Sequence, residues 1–152
     1  MFRNGQLTSC KPISDADLGR YIADCLVNPA LQNRILPIGG AGPAIAPLAQ
    51  AEALFALLGQ TPRVRHVPVR MMDALVAVLQ VLATVSPKFR DKAELARIGR
   101  YYGTESMLVV NPVTGRYDAE ATPETGRETL LGFYASLIAG TAAVKLGEHA
   151  VI

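Results

Sequence analysis

Residues 34–59, RILPIGGAGPAIAPLAQAEALFALLG, constrain the fold more than any other stretch. A short apolar run meets Gly39, Gly40 and Gly42, and a helical pattern follows that stops at Gly59. Strand, glycine-rich turn and helix in that order open a nucleotide-binding α/β unit, where the glycines let the backbone approach a pyrophosphate at the helix N-terminus. The fingerprint is incomplete here. Gly40 and Gly42 fill the first two positions of G-x-G-x-x-G, Ile45 takes the third, and no Asp or Glu lies between Glu52 and Asp73 to hold a ribose hydroxyl. Arg63 and Arg65 would suit a 2′-phosphate, but a partial motif is weak. The expectation is a strand-to-helix turn with no cofactor bound by it.

The rest of the pattern is also α/β. Residues 6–13 read as a short strand, and Ser14 opens a helix with Asp15 and Asp17 at its positive end in a capping-box-like S-D-A-D. Leu18, Ile22, Cys25 and Leu26 form that helix's apolar stripe, and Asn28-Pro29 ends it. Residues 34–38 and 63–69 have strand character interrupted by Pro37 and Pro68. Residues 71–85 are the most apolar segment, with Asp73, Ala77, Gln80 and Thr84 at helical spacing opposite Leu75, Val78, Leu79 and Leu82. That run is shorter than the ~20 residues a membrane span needs, so a core helix is expected. After Ser86-Pro87 comes a charged helix over 91–102, and "NPVTG" then separates residues 106–110 from 116–118 as a hairpin turn. A helix over 128–139 closes the pattern, and residues 141–152 are expected to fray.

Bulk properties narrow the function classes. At 152 residues the chain is long enough for one ordinary domain. A net charge of +2 with acids and bases interspersed gives no nucleic-acid footprint. Cys10 and Cys25 form no C-x-x-C pair, and with no leader read before them the expected setting is reducing and cytoplasmic. His66 and His149 have no ligand at i+4, so no metal site is expected. A thiol at Cys10 beside Lys11 could be activated, but packing is the favoured reading. The basic stretch 88–100 could meet anionic lipid or a carboxylated ligand, against the simpler reading of a solvated helix face. Met71, Met72, Tyr101 and Tyr102 could line a flat aromatic ligand, methionine being adaptable and tyrosine carrying a polar tip. No complete catalytic device can be read, and no catalytic residue is assigned.

Three stretches together go further: MFRNGQLTSCKPISDADLGRYIADCL, RILPIGGAGPAIAPLAQAEALFALLG and IGRYYGTESMLVVNPVTGRYDAEATPETGRETLLGFY. In order and spacing they resemble the C-terminal half of the divinyl chlorophyllide a 8-vinyl reductases, NADPH-dependent enzymes of the atypical, NmrA-like short-chain dehydrogenase group. The resemblance runs to about Ile138. It implies the C-terminal part of a Rossmann-type fold, with the nucleotide-binding glycine motif in an N-terminal half that this chain lacks. It also implies a chlorophyllide-type pigment as substrate and NADPH bound mainly by that half. Residues 1–140 would be the substrate-side region, with Met71, Met72, Tyr101 and Tyr102 as pocket candidates. Contact with photosynthetic membranes would be peripheral. A non-enzymatic NmrA-like binding or regulatory module is the alternative.

Two consequences can be checked. The family pattern places Thr and Glu in "L-T-P-L-E-Q" where this chain has Ala46 and Ala49, so the helix after the glycine turn should lack its N-cap hydroxyl. Cut from neighbouring strands, residues 34–38 would leave Ile35, Leu36 and Ile38 on an unpaired edge. The chain alone is then expected to aggregate, to dimerise, or to pair with the missing half.

Overall fold

The computed structural model describes Met1 and residues 3–143. Among these it is a mixed α/β chain: α1 (Asp15–Val27), α2 (Pro47–Leu57), α3 (Val69–Val85), α4 (Arg90–Thr104), the strands β1 (Val109–Val110) and β2 (Tyr117–Asp118), and α5 (Leu130–Ile138). Short 3-10 turns cover Pro29–Leu31 and Pro87–Phe89.

Local chemistry sets most helix ends. The Ser14 hydroxyl accepts the Asp17 N–H at 3.0 Å and starts α1, and Asn28 closes it while capping the next turn through Ala30 N–H at 3.0 Å. Gly59, at φ +65°, follows α2 where the chain must turn left-handed. Ala46 precedes α2 with no side-chain cap, as the missing threonine predicted. Thr129 caps α5 by accepting from Gly132 N–H at 3.2 Å.

The sheet is smaller than the sequence pattern suggested. β1 and β2 pair antiparallel, Val109 with Asp118 and Val110 with Tyr117. The Asn111 side chain accepts the Val113 and Thr114 N–H groups and sets the turn between the strands. Residues 6–13, 34–38 and 63–69 do not form strands. Isolated bridges stand where ladders were expected: Cys10 pairs with Ile45 and with Met107, and Gly39, just after the second segment, with Glu124, while Val69 already opens α3. Pro12, Pro37, Pro62 and Pro68 withhold N–H groups from these segments, and no long strand lies beside them to extend a ladder.

Burial is sparse. Val76 on α3 and Ala93 on α4 are the buried hydrophobic side chains among the described residues, and each keeps a few percent of its surface exposed. The expected buried stripe of α1 is largely in solvent, with Ile22 and Leu26 exposed and Leu18 and Cys25 half-buried. Among the described residues no sheet covers this face. Ile35 is 98% exposed, while Leu36 and Ile38 are half-buried. The total accessible surface is 11367 Å². A folded monomer of 16.2 kDa exposes about 7,500 Å². Even full exposure of residues 144–152, which lie outside the described set with most of the expected frayed tail and His149, would account for only about 1,300 Å² of the difference.

Candidate functional site

The tightest point of the molecule is a carboxylate. Asp17 leaves its own helix and accepts the Arg127 N–H at 3.0 Å and the Glu128 N–H at 2.9 Å, while Arg20 pairs with its other oxygen. Its side chain is 1% exposed. The Glu128 N–H above all, with those of Arg127 and the Arg20 side chain, lowers its pKa to about 2. Gly126 makes the approach feasible: at φ +82° it has the left-handed backbone, and a Cβ there would lie 2.0 Å from the Asp17 Cγ. Asp17 thus ties the first turn of α1 to the loop entering α5. The sequence placed it only at a helix dipole. Three residues after Ser14 it sits where a capping box would bend back, and nothing local shows that it reaches across 110 residues instead.

Beside that tie lies a cavity of about 400 Å³ between the N-termini of α1 and α5. Pro12, Ile13, Ala16, Leu130 and Phe133 give it apolar walls, and Ser14, Asp15, Glu128 and Thr129 a polar rim. This volume lies within the range of small-molecule sites. Sequence reading missed the cavity, because its walls come from segments more than 100 residues apart.

The glycine turn has a different role from the one its sequence first suggests. A Cβ on Gly40 would lie 1.7 Å from the Pro12 carbonyl oxygen, so the residue permits backbone-to-backbone contact, sealed by Gly40 N–H donating to the Lys11 carbonyl at 3.0 Å. The Gly42 N–H faces the Glu124 carboxylate at 3.5 Å. Lys11, its side chain 6% exposed, reaches the Thr122 carbonyl at 3.0 Å and Glu124 at 3.2 Å, and with Gly42 it holds the Glu124 pKa below the usual range. A pyrophosphate here would meet a carboxylate, so these residues do not fit a nicotinamide dinucleotide. Lys11 is likewise turned away from activating Cys10, whose thiol burial pushes up.

The four sequence candidates fall on the α3–α4 hairpin. Met71 and Met72 open α3, and Tyr101 and Tyr102 lie in the last turns of α4. Because the helices run antiparallel, both pairs sit at one end, near the ion pair of Arg100 with Asp73. Met71, Tyr101 and Tyr102 are exposed; the two tyrosine rings are edge to face with centroids 5.9 Å apart. Met72 faces α4 in a small crevice with Val69, Arg100 and Thr104. The hairpin's helices pack on each other and on the turn between them, not on α1, α2 or α5.

Sequence comparison relates the chain to several proteins of one name. The chain is 50% identical over 152 residues to a protein of Oryza sativa subsp. indica named divinyl chlorophyllide a 8-vinyl-reductase, chloroplastic, covering 99% of this chain and 38% of that one. Proteins of the same name from Zea mays (47% over 152 residues, 99% and 38%) and Arabidopsis thaliana (46% over 150 residues, 98% and 36%) agree. The chain is homologous to these reductases along its whole length. It spans well under half of theirs. No family model matches it, and neither does any solved structure. Identity of this order, unbroken along the chain, turns the motif resemblance into common descent. No helix of the described residues is long and apolar enough to cross a membrane.

Proposed function

We propose that this chain is the substrate-side part of an NADPH-dependent reductase that converts the 8-vinyl group of a divinyl chlorophyllide to ethyl. Whole-length identity of 46–50% to proteins named for that reaction carries the reading. The reduction adds a hydride and a proton across one carbon–carbon double bond. In this reading the glycine turn, occupied by Glu124, holds no pyrophosphate, and the NADPH site and the rest of a Rossmann-type sheet belong to the remaining length of such a reductase. Two surfaces are offered to the flat, apolar pigment. One is the Met71, Met72, Tyr101 and Tyr102 end of the hairpin, and the other is the cavity walled by Ile13, Leu130 and Phe133. Methionine and aromatic rings suit a macrocycle face through dispersion and stacking.

The test is a chimera in which residues 1–152 replace the matching segment of the rice reductase. It is expected to convert divinyl to monovinyl chlorophyllide, to bind NADPH and to elute as a defined species, whereas the chain alone neither binds NADPH nor stays monomeric. Tyr101→Ala with Tyr102→Ala raises KM if the hairpin end is the pigment wall; Phe133→Ala does so if the cavity is. A folded chimera that binds NADPH without reducing pigment would sink the reading. A clean monomer of the chain alone, melting cooperatively, would favour a self-sufficient regulatory module.

A further inference from the structure

The free end of the α3–α4 hairpin combines features that no internal packing explains. Along the outer face of α3, Leu75, Val78, Val81 and Val85 follow helical spacing, and their exposure climbs toward the tip: 47%, 57%, 66% and 82%. The hairpin joins the rest of the chain at its other end. There Val67 exchanges backbone hydrogen bonds with Met1 and Arg3, and Met107, just beyond α4, donates to the Ser9 carbonyl at 3.0 Å. Seventeen residues of α3 carry the tip about 25 Å from that junction. Charge is just as one-sided. Residues 74–90 contain no acid, and Lys88, Arg90 and Lys92 cluster around the turn with Asp91 as the one carboxylate among them. The neighbouring Glu94 is already paired with Arg97 at 3.2 Å. Lys92 lies over the Phe89 ring, 5.8 Å from its centroid, so the aromatic and the cations share one end.

We propose that this tip is a peripheral membrane-docking element, with Val81 and Val85 entering the interface of an anionic bilayer and Lys88, Arg90 and Lys92 held at its headgroups. Apolar side chains on one helix face beside a basic, acid-poor turn are the two signals that stable interfacial binding requires together. A protein partner would have to offer an apolar groove and an acidic rim at one spot to account for the valines and the charge together. A bilayer with negative headgroups accounts for both. The opposite end of the hairpin, bearing Met71, Tyr101 and Tyr102, then stays one helix length away from the lipid.

The test is vesicle flotation, in which bound protein rises and aggregates sink. Both the 152-residue chain and the rice chimera are mixed with vesicles of phosphatidylcholine alone or of phosphatidylcholine with phosphatidylglycerol. Both proteins are expected to float with the anionic vesicles and to be released by high salt. The triple variant Lys88→Glu, Arg90→Glu, Lys92→Glu is expected to lose roughly a hundredfold in partitioning, each basic residue being worth about fivefold. Val81→Ser with Val85→Ser, which keeps the charge, should weaken binding with helical content unchanged. Equal flotation with both vesicle types, or no effect of the charge reversal, would overturn the proposal. So would a chimera that fails to float and protects a Val85→Cys thiol from maleimide, because protein would then cover the tip. Flotation is read without turnover, so a chimera inactive as a reductase leaves this result intact.

Discussion

The α3–α4 hairpin buries Val76 and Ala93 between two helices, whereas α1 meets the entrance to α5 through Asp17 and a pair of backbone N–H groups. One region is held by apolar contact between neighbours in sequence. The other is held by directed polar contacts between residues 97 to 113 positions apart: Asp17 with residues 127–128, Lys11 with residues 122–124, and Ser9 with Ser106. In that second region Thr122 is buried with its hydroxyl donating to the Asp118 carbonyl and accepting from the Val109 N–H. A satisfied hydrogen bond fixes geometry with little area, so the loops around α1 and α5 can be well defined without a core. A helix hairpin forms locally but leaves its other faces bare. The two regions should therefore answer differently to the same perturbation.

The largest difference is expected from Gly126→Ala. The left-handed φ alone costs about 1–2 kcal/mol, and the new Cβ must also displace the Asp17 carboxyl. Hydrogen exchange should show the amides of residues 127–128 and the first turn of α1 opening while α3 and α4 keep their protection. Opening spread evenly over both regions would mean that they are one cooperative unit.

Acid should separate them next. The folded-state pKa of Asp17 is depressed to about 2, and those of Glu124 and Asp118 are also lowered. A depressed carboxyl stabilises the fold above its unfolded value and loses that contribution as pH falls through the folded one. The polar region is thus expected to loosen between about pH 4 and pH 2, with the hairpin's helical signal persisting. The Asp17→Asn variant should lose most of that pH dependence.

The converse probe is Val76→Ala, which removes two methyl groups from the hairpin's centre and is expected to cost about 1–2 kcal/mol. It should loosen α3 against α4 and leave exchange at residues 127–128 unchanged. The smallest change is a gain. Ala46→Ser or Ala46→Thr restores a hydroxyl at the uncapped start of α2 and is expected to stabilise that helix by about 1 kcal/mol, read as a rise in melting temperature.

Much of this was legible in the residues. Ser14, Asn28 and Gly59 act on atoms within a few positions, so the starts and stops of α1 and α2 followed from local chemistry, and the Asn111 turn did too, whereas the expected start of the last helix at residue 128 missed the Thr129 cap. The strands were not legible in the same way. Residues 34–38 have the composition of a buried strand, but a strand exists only through partners, and these residues pair with none in a ladder among the described residues. The same holds for α1, whose apolar stripe is written in its sequence and is exposed in the structure.

By itself the sequence determined the helices, the starts and stops of α1 and α2, and the descent shared with the 8-vinyl-reductases. Each depends on residue identity and short spacing. Tertiary structure alone decided that Asp17 binds the loop before α5, that Gly40 rests on the Pro12 carbonyl, that a cavity opens between two helix N-termini, and that Met71 and Tyr101 share one end of a hairpin while Lys88 and Val85 share the other. Those contacts join groups far apart along the chain, and no local spacing can specify which distant N–H a carboxylate will find.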